Sequence, residues 1–189
     1  SSKSDTLGLG HRDRISANFF VEEYEMNYML GTSIIPQVSI WNGITMGGGV
    51  GISVLGDFRV ATEKTLFSMP ETAIGLFPDV GSSAWLPHLA PGVGEYIGLT
   101  GIRLGPSDLM FTGIATHYIP STKLNELEAK IVEFEANTTD SCRKELRGVL
   151  KTMSESPPVT TEEIVAAGGG RQHTNVIRNN METIRYVQS

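Results

Sequence analysis

The pattern of apolar and polar positions changes along the chain, from short apolar runs in its first half to helical spacing in its second. Runs of β-branched and aromatic residues are typical of strands, and they predict strands at 37–41, 44–46, 58–61, 65–69 and 115–119. Apolar residues spaced three or four positions apart predict helices at 82–89, 92–99, 107–112, 123–135, 141–153 and 175–187, with another that starts at Thr161 and stops at the glycines 168–170. Strands followed by helices indicate an α/β fold.

One helix is predicted ahead of the strands, at residues 19–30, and Gly31 ends it. Its apolar side chains recur at helical spacing, namely Phe20, Tyr24, Tyr28 and Met29. Residues 1–18 are polar with scattered glycines and predict a flexible lead-in. The 189 residues suit one domain. We expect it to consist of a core at 19–120 and a helical C-terminal region at 121–189.

A run of glycines interrupts the strand pattern. Gly47, Gly48 and Gly49 follow an apolar stretch and precede a predicted helix at 50–56. Glycines allow the backbone to approach a ligand closely, and the N–H groups of a first helical turn have no partner within the helix. Close packing of helix on strand explains the same glycines without a ligand. No Gly-Lys-Ser/Thr ending and no Gly-x-Gly-x-x-Gly spacing is present, so the run does not predict a nucleotide site.

Two carboxylates follow the glycines, and each comes directly after a proline. Glu71 lies in Met69-Pro70-Glu71-Thr72, and Asp79 lies in Phe77-Pro78-Asp79-Val80. Each sequence is also an ordinary turn signature. Backbone donors combined with carboxylates suit a reaction that passes through an oxyanion. The pattern therefore indicates thioester hydrolysis or enolate chemistry.

Taken together, these segments resemble the crotonase (enoyl-CoA hydratase/isomerase) superfamily. The similarity covers roughly residues 19–125, and its most specific parts are 42–51, 58–64, 69–81, 99–101 and 113–117. It implies an α/β fold of the ClpP/crotonase type, a spiral of ββα units, present here in part and followed by helices. The Ala-Gly-Gly-Asp-like segment that supplies a first oxyanion donor in that family is absent from this sequence. The resemblance therefore implies a chain that is incomplete at both ends.

Within the superfamily, the motifs are most similar to the 3-hydroxyisobutyryl-CoA hydrolase branch. Hydratases have a glutamate two residues after the third glycine, where this chain has Gly51. They have glycine where this chain has Asp79. The resemblance implies an acyl-CoA thioester hydrolase of valine catabolism. An enoyl-CoA hydratase or isomerase and an inactive crotonase-fold binding subunit stay open as alternatives.

The resemblance also assigns roles to individual residues. It implies that Glu71, Asp79 and the N–H of Gly48 are catalytic, and that these residues bind substrate together with Gly47 and Glu23. Glu23 lies in an acidic helix, where a solvated face is the alternative interpretation. No cofactor is implied, since coenzyme A enters as part of the acyl-CoA substrate.

Composition narrows the classes of function that the chain can have. The chain has 15 basic and 21 acidic residues and a formal charge of −6, which does not favour nucleic-acid binding. Cys142 is the only cysteine, so no intrachain disulfide can form. The four histidines are scattered and predict no metal site, and no apolar run is long enough to cross a membrane. The family resemblance implies the mitochondrial matrix, with the peroxisome or cytoplasm as alternatives, and leaves a homo-oligomer open.

Overall fold

Two small parallel sheets form the centre of the computed structural model, which describes residues 11–159 and 176–186. In this part of the chain the strands are β1 (Val38–Trp41), β2 (Ile44–Met46), β3 (Phe58–Ala61), β4 (Leu66–Ser68) and β5 (His117–Tyr118). One sheet has the order β1-β3-β5, with Val38 opposite Phe58 and Val60 opposite His117. The other pairs β2 with β4, with Ile44 opposite Leu66 and Met46 opposite Ser68.

The first four strands form two consecutive pairs, β1 with β2 and β3 with β4, and each pair contributes one strand to each sheet. Between β1 and β2 the chain bends at Gly43, whose φ of +145° is accessible to glycine. The same path is then repeated from β3 to β4, one layer further along. Each β-β unit continues into a helical turn, which is the ββα repeat that the family resemblance implies.

Helices enclose the sheets within the described residues. They are α1 (His11–Gly31), α2 (Gly48–Gly51), α3 (Val93–Thr100), α4 (Pro106–Thr112), α5 (Leu124–Val132), α6 (Thr139–Met153) and α7 (Val176–Tyr186). Short 3₁₀ turns lie at Glu71–Ile74, Ser82–Ala84, Leu86–His88 and Ser121–Lys123. The predicted strands and most of the predicted helices are confirmed to within a few residues at their ends.

Three local predictions are wrong. α1 begins at His11, so residues 11–18 of the predicted lead-in are helical; they contain no glycine or proline to stop a helix. The predicted helix at 82–89 is two 3₁₀ turns, because Pro87 lacks an N–H and Trp85 leaves helical geometry at φ −126°. The helix expected at 50–56 starts at Gly48 and ends at Gly51, before the poor helix-forming Gly56.

Other predictions fall outside the described residues. They concern residues 1–10, the helix from Thr161 and the glycines 168–170. The division of the chain at residue 120 stays a prediction.

Among the described residues, the hydrophobic core forms two clusters, one on each side of the three-stranded sheet. The first packs Trp41, Val50 and Phe67 against α3 and α4, and includes Ile177 of α7. The second packs Phe58 and Val60 against α5 and α6, with Cys142 at its edge. Asp108 of α4 is fully buried and accepts hydrogen bonds of 2.9 Å from the backbone N–H groups of Val176 and Ile177, which fixes the start of α7.

Candidate active site

The glycine turn and Glu71 lie side by side because they follow paired parallel strands. β2 ends at Met46, opposite Ser68 at the end of β4. Gly47 and Gly48 continue from the first strand, and Glu71 opens the 3₁₀ turn after the second. The carboxyl ends of parallel strands are where open α/β sheets bind ligands. The glycine backbone and a carboxylate therefore meet at a position that suits a ligand.

Gly47 and Gly48 leave room for two carboxylates. Gly47 has φ +51°, and a Cβ on it would lie 3.3 Å from Glu71 Oε1. A Cβ on Gly48 would lie 2.9 Å from Glu23 Oε1. Because Gly48 is the first residue of α2, its N–H has no acceptor within that helix. A backbone donor thus lies between two acidic side chains.

Glu71 is the most enclosed of these acids. It is 4% exposed, and its Oε2 has no hydrogen-bond partner among the described residues. Burial raises the pKa of the Glu71 carboxyl, and the nearby charge of Asp79 raises it further, against a hydrogen bond from its own backbone N–H that lowers it. A buried carboxylate with one unpaired oxygen suits proton transfer or nucleophilic attack.

Asp79 is presented by a strained loop. Val80, the next residue, has φ +45°, which is rare for a β-branched residue. Such strain costs about 1–3 kcal/mol and persists only where the surroundings enforce it. Here Val80 is 3% exposed and packs directly on the glycine turn. The loop therefore holds the backbone of Asp79 at a fixed place beside Glu71.

Tyr24 of α1 supplies a hydrogen bond to this loop. Its hydroxyl donates to Asp79 Oδ2 over 2.8 Å. Burial of the hydroxyl, followed by this hydrogen bond and the charges of Asp79 and Glu23, raises the pKa of Tyr24 to about 12. Tyr24 therefore stays a protonated donor throughout the physiological range.

The face of α1 that meets the glycine turn carries polar and small residues, and its large apolar residues lie elsewhere. Glu23, Asn27 and Gly31, spaced one turn apart, point inward: Glu23 is half-buried, Asn27 is buried, and a Cβ on Gly31 would lie 3.0 Å from Leu55. The apolar Tyr28 and Met29 are 72% and 70% exposed. Burial raises the pKa of Glu23, and the charge of Asp79 adds to that shift. Glu23 therefore lies on the side of α1 that faces the glycine turn, and its role as a substrate-binding residue stays a prediction.

Gly51 is a packing position. A Cβ there would lie 2.5 Å from Val80 Cβ, 3.1 Å from the Val80 carbonyl oxygen and 3.0 Å from Asn27 Oδ1. No side chain fits at these distances without displacing the Asp79 loop. Gly51 and the loop conformation therefore depend on each other.

The structure brings together all five residues singled out from the sequence. Glu71, Asp79, Gly47, Gly48 and Glu23 lie around one space, although their roles stay predictions. Sequence reasoning missed two neighbours on α1, Tyr24 and Asn27. The spacing of Asn27, four positions after Glu23, is the signal that could have found it, whereas the spacing of Tyr24, one position after Glu23, gives no such signal.

A family model for enoyl-CoA hydratase/isomerase matches residues 3–186. The chain belongs to the enoyl-CoA hydratase/isomerase family. It is 54% identical over 124 residues to 3-hydroxyisobutyryl-CoA hydrolase 1 of Arabidopsis thaliana, a match that covers 66% of this chain and 33% of that protein. It is 54% identical over 129 residues to the mitochondrial 3-hydroxyisobutyryl-CoA hydrolase of Xenopus laevis, covering 68% and 34%. The chain thus spans about a third of the length of the curated relatives it matches.

A solved structure of the family confirms the crotonase-like α/β fold. The carnitinyl-CoA dehydratase from Mycobacterium thermoresistibile superposes with a TM-score of 0.67 at 29% identity. That superposition covers 83% of this chain and 48% of the dehydratase. The fold that the family resemblance implies is therefore confirmed for this member of the enoyl-CoA hydratase/isomerase family.

The described residues contain neither a membrane-spanning helix nor a cluster of metal ligands. None of the helices in residues 11–159 and 176–186 is long and apolar enough to cross a membrane. The same residues contain no cluster of three or more His, Cys, Asp or Glu side chains that could hold a metal ion.

The raised pKa of Glu71 predicts how stability depends on pH. A group whose pKa is raised by folding favours the folded state below its unfolded pKa, and this contribution is lost as the pH rises through the folded pKa. We therefore expect Glu71→Gln to increase the free energy of unfolding relative to the parent more at pH 7 than near pH 4. Urea unfolding at both pH values measures the difference. Glu22→Gln, at an exposed position of α1, is the matched control, and an equal effect of both variants would contradict the expectation.

Proposed function

We propose that the protein hydrolyses an acyl-CoA thioester, with 3-hydroxyisobutyryl-CoA as its substrate. The names of the Arabidopsis and Xenopus relatives support the substrate. The observation that carries the proposal is the contact between the Asp79 loop and Gly51. Because Val80 occupies the space that a side chain at position 51 would need, the site holds Asp79 beside Glu71 and excludes a second glutamate from the glycine turn.

This geometry distinguishes hydrolysis from hydration. Hydration in this family uses two glutamates around one water, as the family resemblance implies. Here Asp79 is the acidic neighbour of Glu71, Glu23 lies near Asp79, and position 51, where a hydratase has its second glutamate, is closed by Val80. The arrangement favours the hydrolase over the enoyl-CoA hydratase and isomerase alternatives.

In the proposed reaction, the thioester carbonyl oxygen accepts a hydrogen bond from the Gly48 N–H. Glu71 either takes a proton from water, whose oxygen attacks the carbonyl carbon, or attacks that carbon itself and is released by water. The tetrahedral oxyanion then collapses, the C–S bond breaks, and the thiolate leaves and takes up a proton. The products are 3-hydroxyisobutyrate and coenzyme A. Donors directed at the oxyanion are worth roughly 2.7–4 kcal/mol each in well-studied hydrolases.

Two roles suit Asp79. It can hold the hydroxyl of the substrate, or it can help to move the proton to the leaving thiolate. Tyr24 occupies Oδ2, so Oδ1 is the oxygen that remains for either role. The mitochondrial naming of the Xenopus relative supports the mitochondrial matrix as the place where this substrate is met.

Free thiol release from 3-hydroxyisobutyryl-CoA tests the proposal. We expect the purified chain to release coenzyme A, measured with a chromogenic thiol reagent, at a rate proportional to protein concentration. Acyl-CoA binding in calorimetry with no thiol release would instead identify a binding subunit and overturn the proposal.

Tyr24→Phe tests the hydrogen bond to Asp79. A hydrogen bond to a charged group contributes about 1.5–3 kcal/mol, so we expect kcat for thiol release to fall about tenfold with little change in KM. Tyr96→Phe removes a tyrosine hydroxyl from a different helix, α3, and should leave both constants unchanged. Equal kcat in the two variants would exclude Tyr24 as a positioning residue.

A further inference from the structure

A buried polar side chain lies beside the site and takes no part in the chemistry above. Asn27 is 3% exposed, yet neither its Nδ2 nor its Oδ1 has a hydrogen-bond partner among the described residues. Leaving a buried amide unpaired costs free energy. A leucine of similar shape would avoid that cost at a position needed only for packing. The amide therefore points to a polar group that reaches it.

Asn27 lines a cavity large enough for such a group. The cavity has a volume of about 370 Å³. Its walls are mainly apolar and include Tyr24, Leu55, Gly81 and Ala84. Apolar walls with a few placed polar groups are typical of small-molecule sites, and the volume is at the lower end of their range. The cavity thus suits a short aliphatic group that carries one hydrogen-bonding function.

The cavity adjoins the carboxylates. Tyr24 forms part of its wall and donates to Asp79. Asn27 follows Glu23 by four residues on the same face of α1, a rise of about 6 Å. Glu23, beside Gly48, and Asn27, in the wall of the cavity, therefore lie one turn apart on the same face of α1.

We propose that this cavity is the acyl subsite and that Asn27 binds the hydroxyl of a 3-hydroxyacyl group. The proposal rests on the proposed thioester hydrolysis and adds a specificity-determining residue to it. An alcohol hydroxyl can both donate to Oδ1 and accept from Nδ2, which complements a side-chain amide. The assignment leaves Asp79 Oδ1 for proton transfer to the leaving thiolate. It also selects hydroxyacyl over plain acyl thioesters, because an acyl group without a hydroxyl leaves the buried amide unpaired.

Asn27→Leu tests the subsite with two substrates that differ only in the hydroxyl, 3-hydroxyisobutyryl-CoA and isobutyryl-CoA. We expect kcat/KM for the hydroxy ester to fall at least about tenfold, while that for isobutyryl-CoA stays level or rises. A loss of folding lowers both values alike, so their ratio reports the hydroxyl contact alone. Asn18→Leu, the same substitution at an exposed position of α1, should leave the ratio unchanged. An unchanged ratio in Asn27→Leu overturns the proposal.

A binding measurement separates this proposal from the proposed function. The measurement is an NMR titration of ¹⁵N-labelled Glu71→Gln protein, which binds the esters without turning them over. The side-chain amide signals of Asn27 are assigned as those that disappear in the double variant with Asn27→Leu. We expect them to shift on addition of 3-hydroxyisobutyryl-CoA and to shift much less with isobutyryl-CoA. Equal shifts, or none with either ester, overturn the subsite. If the unmutated chain releases no thiol from either ester, hydrolysis fails as the function, while this titration still decides whether Asn27 binds a hydroxyacyl group.

Discussion

Replacing Glu71 by glutamine is expected to lower the turnover of thiol release at least about a hundredfold, the lower end for general acid–base catalysis. Glutamine keeps the shape of the side chain but can neither accept the proton of a water nor attack the carbonyl. The buried Glu71 carboxylate has Oε1 next to Gly47 and an unpaired Oε2, and it lies near the charge of Asp79. No other described acid of the site is as enclosed. The measurement is kcat for coenzyme A release under saturating 3-hydroxyisobutyryl-CoA.

Glu22→Gln is the matched control for activity as well as for stability. Glu22 precedes Glu23 on α1 but is exposed, so the variant changes the net charge equally without touching the site. We expect it to keep the turnover of the parent. A Glu71→Gln variant that retains full activity would remove Glu71 from the mechanism, whichever of the two attack routes operates.

Placing a glutamate at position 51 is expected to disrupt the site rather than to create a hydratase. A Cβ at Gly51 would lie 2.5 Å from Val80 Cβ and 3.1 Å from the Val80 carbonyl oxygen, so even alanine must displace the Asp79 loop. Overpacking of this kind typically costs 1–3 kcal/mol, and a buried charge adds to the cost. We therefore expect Gly51→Glu to lower the free energy of unfolding by several kcal/mol, to abolish most thiol release and to give no hydration of crotonyl-CoA.

Gly51→Ala and Gly49→Ala separate crowding from charge. Gly51→Ala should destabilise the protein by about 1–3 kcal/mol and reduce thiol release with it. A Cβ on Gly49 meets no atom within 4 Å, so Gly49→Ala should leave the unfolding midpoint in urea unchanged or slightly higher. Gly51→Glu with the stability of the parent, or with measurable hydration, would show that Val80 does not close this position.

The strands and the site-forming turns could be predicted from the sequence because their signals are local. β-Branched and aromatic runs marked β1 to β4, the glycines marked the end of β2, and Pro70-Glu71 marked the end of β4. Parallel pairing then brought Gly47 and Glu71 together. The link between Gly51 and Asp79 could not be predicted, because it depends on the positive φ of Val80, which no β-branched residue signals.

The inward face of α1 could not be predicted for a different reason. The apolar residues Phe20, Tyr24, Tyr28 and Met29 predicted the helix by their spacing, and such a stripe normally packs against the core. The surface that α1 meets is a glycine turn, which offers backbone and little side-chain bulk, so polar and small residues pack there. Glu23 and Asn27 therefore lie inside while Tyr28 and Met29 lie outside. A rule based on hydrophobicity fails where the buried contact is part of a polar site.

The comparison of hydrolysis with hydration tests the central claim most directly. The same protein preparation is given 3-hydroxyisobutyryl-CoA, with thiol release recorded, and crotonyl-CoA, with the loss of enoyl absorbance recorded. The site built from Gly48, Glu71 and Asp79, with position 51 closed by Val80, predicts thiol release from the first ester and no hydration of the second. Hydration of crotonyl-CoA without thiol release from 3-hydroxyisobutyryl-CoA would contradict it.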